Sequence, residues 1–196
     1  MPEVELPNPE ELKEKAERSF GRRVALVTAI YAVILAIASL GGNNAMKEML
    51  LAQQQASDQW AFYQAKVIRE HQYRAQKMRL EVELAERSPL LKPEARQRHE
   101  ELLKKFAEEE KRYNAEKKDI EKDAKKLEYE RDRNREKDPY FDYAEVLLQI
   151  AIVMASVSIL ATSRPLFVFS LALALGGALL TANGYTFFFR LPFLHH

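Results

Sequence analysis

The residues best suited to bind a ligand lie in one stretch of the sequence, QQQASDQWAFYQAK, at residues 53–66. An acid, Asp58, is followed by the only tryptophan, Trp60, and then by Tyr63. These side chains could hold a ligand, but no base, nucleophile or metal-ligating cluster accompanies them, as catalysis would require. The sequence therefore predicts no catalytic residue, no cofactor and no metal site, and the protein is not expected to be an enzyme.

Cysteine and histidine offer little further chemistry. The chain has no cysteine, which excludes disulfides and thiolate-bound metals. His71 is expected opposite about Glu110, where a buried pair would be sensitive to pH; the alternative is a tolerated polar residue. His195 and His196 close the chain and are assigned no role.

The elements that carry these residues follow from an uneven distribution of charge. Residues 24–46, 146–163 and 165–189 contain no charged residue, whereas residues 47–145 are dense in both signs. Crossing a membrane takes about 20 apolar residues, because the hydrocarbon core is about 30 Å thick. We therefore predict an all-α integral membrane protein with three transmembrane helices, at residues 24–46, 140–162 and 165–189. A signal peptide is disfavoured for the first of these, because its lead is acidic as well as basic and SLGGNN is a poor cleavage site.

The two ends of the chain flank these spans. Residues 1–23 are typical of an amphipathic helix at the membrane interface, with Asn8 as its N-cap and Pro9 at its first position. Residues 190–196 form a tail. The net charge of +1 argues against a nucleic-acid partner, which would require a basic face.

The charged middle, residues 43–137, is predicted to be a long antiparallel coiled-coil hairpin. Neither half contains proline or glycine, and the prolines of residues 88–93 cannot continue a helix, so the turn lies there. Two arms of equal length joined by a short turn pack antiparallel. Asp138 is expected to cap a new helix that begins at Pro139.

Apolar spacing predicts the contact line of each arm, with alternating steps of four and three residues. The first line includes Met49, Gln53, Ala56, Trp60, Tyr63, Val67, His71, Ala75, Met78, Val82 and Ala85. The second includes His99, Leu102, Phe106, Tyr113, Ile120, Ala124 and Leu127, with Glu109 or Glu110 and Lys117 interrupting it. Between Val67 and Met78 the first line needs an eleven-residue step, which relaxes the supercoil. Folding about the turn would pair Met78 with Leu102 and Leu103, Ala75 with Phe106, Val82 with His99, and Gln53 with Leu127.

The first arm has more apolar surface than its own hairpin can cover. A second stripe passes through Leu50, Gln54, Ser57, Ala61 and Ile68, while the facing residues 114–121 are strongly charged. A helix that is apolar all round is normally buried all round, so we expect another copy of the same helix to pack there, with Trp60 and Tyr63 as anchors. The residues predicted to pack between copies are Gln53, Ala56, Ser57, Trp60, Ala61, Phe62, Tyr63, Val67 and Ile68. Distance argues against a membrane-interface belt at Trp60, which lies about 30 Å along the helix from Leu40 unless the helix breaks at Gly41 and Gly42.

A polar pore is the alternative use of the same arrangement. First arms gathered around an axis could point Asn43, Asn44, Gln53 and Asp58 into a lumen. The expected function is therefore a membrane-anchored coiled-coil scaffold or interaction protein that forms homo-oligomers; the alternative is an oligomeric channel or an accessory subunit of a transport complex.

The strings EKAERS, NNAMKEML and above all QASDQWAFYQAK resemble a bacterial family catalogued as domain of unknown function 4337. The resemblance covers the first span and first arm by motif and the remainder by layout. It implies a bacterial membrane protein with a long helical hairpin, and it implies no activity.

Flanking charge predicts the orientation in the bacterial inner membrane. Five Lys or Arg residues precede the first span, and only Lys47 follows it closely. Positive charge is retained on the cytoplasmic side, so the N-terminus is expected there and the hairpin in the periplasm. Against this, Arg131, Arg133, Arg135 and Lys137 flank the second span on the hairpin side, although long loops translocate largely regardless of charge. The expected partners are a second copy of the chain, the lipid bilayer and, as a further candidate, another membrane protein.

Overall fold

The computed structural model describes residues 9–87 and 91–190, and every regular element in this part of the chain is an α-helix. Helix α1 spans Pro9–Arg87, α2 spans Pro93–Leu160 and α3 spans Arg164–Thr186. Each of the three contains a stretch long and apolar enough to cross a membrane. The all-α class is confirmed, and no strand occurs among the described residues. The predicted N-cap Asn8, part of the predicted turn, and His195 and His196 lie outside them.

Two predicted helix boundaries are wrong. Residues 1–23 were expected to form a helix of their own, but α1 begins at Pro9 and continues to Arg87 without interruption. A new helix was expected at Pro139, but α2 runs through this proline. An internal proline removes one backbone hydrogen bond. The helix persists because the next residues, Tyr140 and Phe141, are 0% and 1% exposed and are held by tertiary packing.

Helix α3 ends three residues before the predicted boundary at 189. Phe187 has φ 49°, and its N–H donates to the Asn183 carbonyl oxygen. The Asn183 side chain accepts from the Phe189 N–H at 2.9 Å and donates to the Phe189 carbonyl at 2.8 Å. This side chain takes over the backbone groups that a further helical turn would have paired.

The chain divides into two compact units, each described by itself. One, the apolar unit, consists of Met1–Glu48 and Arg133–His196; the other, the polar unit, is Met49–Asp132. Helices α1 and α2 contribute to both units, whereas α3 belongs to the apolar unit alone.

Small side chains line much of the interior of the apolar unit, beside a few large ones such as Phe141 and Leu148, while many large apolar side chains face outward. A Cβ added at Gly177 would lie 2.7 Å from Leu148 Cγ, so glycine is needed for this approach of α3 to α2. Buried residues of the interior include Ala38, Ala144, Ala151, Ala155, Ser158, Ser170, Ala174 and Thr181. The outward side chains, each more than half exposed, include Leu26, Ile30, Val33, Leu40, Val153, Leu160, Val168, Leu175 and Leu179.

Among the described residues, the buried polar side chains of the apolar unit are hydrogen-bonded, with one exception. Ser158 and Thr181 each donate to a backbone carbonyl of their own helix, at 2.7 and 2.8 Å. The buried Tyr140 hydroxyl donates to the Phe189 carbonyl at 3.2 Å, and the half-exposed Tyr185 hydroxyl donates from α3 to the Ile37 carbonyl of α1 at 3.0 Å. The Tyr31 hydroxyl is buried and has no hydrogen-bond partner. A buried hydroxyl without a partner costs about 1–3 kcal/mol.

The polar unit contains two arms, residues 49–87 of α1 and 93–132 of α2, that run antiparallel. Trp60 contacts Glu128, Lys66 contacts Glu116 and Arg74 contacts Glu110. Residue numbers thus fall along the second arm as they rise along the first, which shows the antiparallel direction. The residues of the first arm turned toward the second, here the inner line, are Ala52, Ala56, Gln59, Tyr63, Lys66, Glu70, Tyr73, Lys77, Leu80 and Leu84. Their facing residues are His99, Leu103, Phe106, Glu110, Tyr113, Lys117, Ile120, Ala124, Leu127 and Arg131. Both sets alternate steps of four and three throughout.

The predicted contact line is therefore wrong in its distal half. Met78 and Val82 are 57% and 56% exposed, and Leu102 is 44% exposed. The eleven-residue step does not occur, because the heptad continues through the charged residues Glu70 and Lys77. His71 is exposed and does not pair with Glu110, whose carboxylate instead binds Arg74 and Lys77 at 2.7 and 2.6 Å.

Candidate interaction site

The segment 53–66 divides its side chains between two faces of α1. Ala56 is 2% exposed, and Trp60, Tyr63 and Val67 are partly buried. The Trp60 indole donates to Glu128 Oε1 at 3.0 Å and its ring meets Tyr63 edge to face at 5.4 Å. Trp60 and Tyr63 thus anchor the first arm to the second within one chain, rather than presenting themselves wholly to another copy.

The other predicted packing residues remain exposed. Gln53, Ser57 and Ala61 are exposed, and Phe62 and Ile68 are 53% and 58% exposed. The Gln53 amide oxygen accepts from Arg131 Nη1 at 3.0 Å, which is one turn of α2 beyond the predicted partner Leu127. The second arm therefore leaves this face of α1 open, as the charge of residues 114–121 predicts.

The open face forms a heptad stripe that is longer than the sequence pattern suggests. The outer stripe, as we name it, consists of Leu50, Gln54, Ser57, Ala61, Gln64, Ile68, His71, Ala75, Met78 and Val82, all exposed. Its steps alternate four and three, and no position holds Asp, Glu, Lys or Arg. The residues that sequence reasoning assigned to the distal contact line, from His71 to Val82, belong to this stripe. Extending the four-and-three spacing of Leu50, Gln54, Ser57, Ala61 and Ile68 beyond Ile68 would have predicted these distal residues of the stripe.

A charged network holds the middle of the two arms together. Glu70 is 1% exposed; its carboxylate accepts from Asn114 at 2.9 Å and from Arg74 at 3.2 Å, and it is paired with Lys117. Burial alone would raise the pKa of this carboxyl. The hydrogen bonds from Lys117 and Asn114 and the charge of Arg74 outweigh burial and hold the pKa below its ordinary value of 4.5. Sequence reasoning missed Glu70 because it sought apolar residues along the contact line.

The network extends to both sides of Glu70. Hydrogen bonds from Lys77 and Arg74 lower the pKa of Glu110, and a bond from Lys66 lowers that of Glu116. Tyr113 is 5% exposed, and its hydroxyl accepts from Arg112 at 3.1 Å and Arg69 at 3.4 Å. These two bonds lower the pKa of the Tyr113 phenol. The arrangement fixes the register of the arms, because a slip would leave several charges without partners.

The four predicted pore-lining residues have different surroundings. In the polar unit, Gln53 binds Arg131, and Asp58 accepts from Gln54 at 3.1 Å. In the apolar unit, Asn43 and Asn44 are exposed, and Asn44 lines a small cavity among the three helices. Within residues 9–87 and 91–190 no group of three His, Asp or Glu side chains is arranged to hold a metal ion.

Comparison with known families places the chain among its relatives. A family model described as Domain of unknown function (DUF4337) matches residues 20–187. The chain belongs to this family. Searches of curated proteins and of solved structures found no match. The resemblance drawn from QASDQWAFYQAK is thus confirmed, and the DUF4337 match extends over the second arm and into α3, where the sequence offered layout rather than motif.

Proposed function

We propose that this DUF4337 protein is a membrane-anchored scaffold that self-associates through the outer stripe of an antiparallel coiled-coil hairpin. Exposed apolar side chains on every helix of the apolar unit, among them Leu26 and Ile30 of α1, support the anchor. In water these side chains would form a large apolar patch, which soluble proteins avoid, whereas lipid tails accept them. Small buried residues such as Ala151, Ala155 and Gly177 are typical of helix packing within a bilayer.

The coiled-coil assignment for the polar unit rests on the two facing lines of residues. Each alternates steps of four and three, which is the period at which helices supercoil around each other. Charged members such as Glu70 and Lys77 are accommodated because each has a partner on the other arm.

The outer stripe carries the proposal of self-association. The outer stripe has ten residues, and none of them is Asp, Glu, Lys or Arg. Such a stripe is unexpected on an exposed face in a segment this rich in Glu, Lys and Arg. A surface without charge does not repel its own copy. The Gln54 amide donates one N–H to Asp58 at 3.1 Å. An amide has a second N–H and an oxygen that accepts, so Gln54, like Gln64, can still pair with the same residue of a second copy.

The membrane favours a second copy as the occupant. Copies anchored in one bilayer present their first arms in the same direction, so equivalent residues meet at the same level in a parallel pair. Small residues at Ser57, Ala61 and Ala75 allow the helices to approach closely. The pore alternative draws less support, because Gln53 and Asp58 are already hydrogen-bonded within the chain.

The proposal is tested by the molar mass of the full chain in detergent, measured by size exclusion with light scattering. Ile68→Glu places a charge in the middle of the outer stripe and should convert the multimer to monomer. Gln76→Glu adds the same charge at an exposed position outside the stripe and should leave the mass unchanged. A monomeric wild-type chain, or equal masses for all three proteins, would contradict the proposal.

A further inference from the structure

A cavity of about 180 Å³ lies in the apolar unit where its three helices converge. Its volume is below the roughly 300–1,000 Å³ of pockets for drug-sized ligands, so it suits a small group. Asn44 and Glu48 line it from α1, Asn134 and Lys137 from α2, and Tyr185 from α3. Four of these five side chains carry a charge or an amide.

The floor of the cavity is built from an aromatic ring held between glycines. Phe141 is 1% exposed, and a Cβ at Gly41 or Gly184 would lie 2.4 or 2.8 Å from its ring. Tyr185 meets this ring edge to face at 5.1 Å. Larger residues at either glycine would displace Phe141, so the shape of the cavity depends on both.

The polar wall holds one acid and one base that do not neutralise each other. Glu48 and Lys137 both line the cavity, and no ion pair joins them among the described residues. Lys137 Nζ instead donates to Asn134 Oδ1 at 3.3 Å, and Asn134 is 9% exposed. Two opposite charges facing one small cavity without closing on each other suit a ligand with a cation at one end and an anion at the other.

The position of the cavity indicates where such a ligand comes from. On α1 it lies where the uncharged residues give way to Lys47 and Glu48. On α2 it lies at Asn134 and Lys137, before the apolar residues begin at Tyr140, with Asp138, Asp142 and Glu145 between Lys137 and the uncharged run that starts at residue 146. In the proposed membrane protein, which this inference presupposes, that level is the lipid headgroup region. We propose that the cavity binds the amine–phosphate headgroup of a zwitterionic phospholipid such as phosphatidylethanolamine. In this proposal the Glu48 carboxylate and the side-chain oxygen of Asn44 bind the ammonium group, and Lys137 and the side-chain N–H groups of Asn134 bind the phosphate.

The charges of the site also determine which lipids it rejects. Among the residues that line the cavity, the charges of Glu48 and Lys137 sum to zero, and the acids next to it on α2, Asp138, Asp142 and Glu145, add negative charge. A neutral zwitterion is therefore favoured over an anionic headgroup such as phosphatidylglycerol. A trimethylated ammonium cannot donate hydrogen bonds to Glu48, so phosphatidylcholine should bind less well than phosphatidylethanolamine.

The test is native mass spectrometry of the detergent-solubilised full chain with an equimolar mixture of the three lipids, all with the same acyl chains. We expect phosphatidylethanolamine adducts to exceed either competitor at least about fivefold, a difference of about 1 kcal/mol. Glu48→Gln and Lys137→Ala should each remove the preference. Lys47→Ala alters an exposed residue outside the cavity and should retain it. Equal adducts of all three lipids, or a preference that survives both cavity variants, would overturn the proposal.

Two further measurements separate this proposal from alternative explanations. Free phosphoethanolamine at millimolar concentration should not displace the lipid; displacement would reassign the site to a soluble amine–phosphate compound and overturn the lipid assignment. Circular dichroism of the variants should match that of the wild type. If a variant has lost helix, it is replaced by the charge swap Glu48→Lys with Lys137→Glu. The swap keeps one acid and one base at the cavity, so it should retain part of the preference for phosphatidylethanolamine. A wild-type chain that forms the multimer but shows no lipid preference would overturn this proposal alone, whereas a wild-type chain that stays soluble without detergent would overturn the membrane anchor as well.

Discussion

Truncation of Glu70 should loosen the middle of the two arms. Its carboxylate is 1% exposed and is bound by Lys117, Asn114 and Arg74. Removing one partner of a buried ion pair costs roughly 3–5 kcal/mol, because the other charge stays buried without compensation. Lys117 and Arg74 are 20% and 48% exposed and can regain water, so we expect a loss of roughly 2–3 kcal/mol for Glu70→Ala.

Amide hydrogen exchange of the full chain at neutral pH measures this loss where it occurs. Exchange reports the free energy of local opening, and 1.4 kcal/mol corresponds to a factor of ten. Peptides covering residues 63–77 and 110–120 should therefore exchange about 30- to 150-fold faster in Glu70→Ala. Glu81→Ala makes the same substitution at an exposed position of the same arm, so the change in helix propensity is matched.

A double variant separates lost charge compensation from lost packing. Glu70→Leu with Lys117→Leu removes both charges, and buried pairs can be replaced by apolar residues at little cost. Its exchange should lie within about tenfold of the wild type. Equal exchange in Glu70→Ala and Glu81→Ala would refute the assignment of Glu70 as the residue that locks the register.

Three further predictions follow from named contacts. The pKa values of Glu70, Glu110 and Glu116 are lowered in the folded chain, so these carboxylates stabilise the arms at pH values above their ordinary pKa of 4.5. This contribution is lost as the pH falls through the folded-state pKa values. Hydrogen exchange of residues 63–77, corrected for its intrinsic pH dependence, should therefore accelerate below about pH 4.5 and stay constant between pH 6 and 8. Tyr31→Phe removes a buried hydroxyl without a partner and should leave the thermal midpoint unchanged or raise it, whereas Tyr185→Phe removes a hydroxyl bonded to the Ile37 carbonyl and should lower it; the reverse order would show that Tyr31 is the bonded residue. In the proposed topology, a single cysteine at Leu91 should react with a membrane-impermeant maleimide in cells whose outer membrane alone is permeabilised, whereas a cysteine at Arg164 should not; the opposite pattern would place the hairpin in the cytoplasm.

Helix content and its apolar stretches could be predicted from the sequence because both depend on local composition. Uncharged runs such as residues 24–46 identify themselves, and the absence of proline and glycine across 43–87 predicts one long helix, as α1 shows. Pro139 misled the boundary because propensity is local, whereas the burial of Tyr140 and Phe141 that sustains α2 depends on residues far away in the sequence.

The outer stripe could be predicted from the sequence only in its first half, from Leu50 to Ile68. The open face at Ser57, Ala61 and Ile68 followed from the charge of the residues opposite them. Beyond Val67 an apolar criterion assigned Met78 and Val82 to the inner line, because it could not anticipate that Glu70 would be buried with Lys117 and Asn114 as partners. The cavity at Glu48 and Lys137 was not found either, since it depends on three helices converging around Phe141.

The central claim, that copies of this chain meet through the outer stripe, is tested most directly by disulfide cross-linking in native membranes. The chain has no cysteine, so a single cysteine reports only on its own position. Under mild oxidation Ala61→Cys should give a disulfide-linked dimer of the full chain, whereas Lys122→Cys, exposed on the second arm, should not. A dimer at Lys122 and none at Ala61, or no dimer at either position, would contradict self-association through the outer stripe.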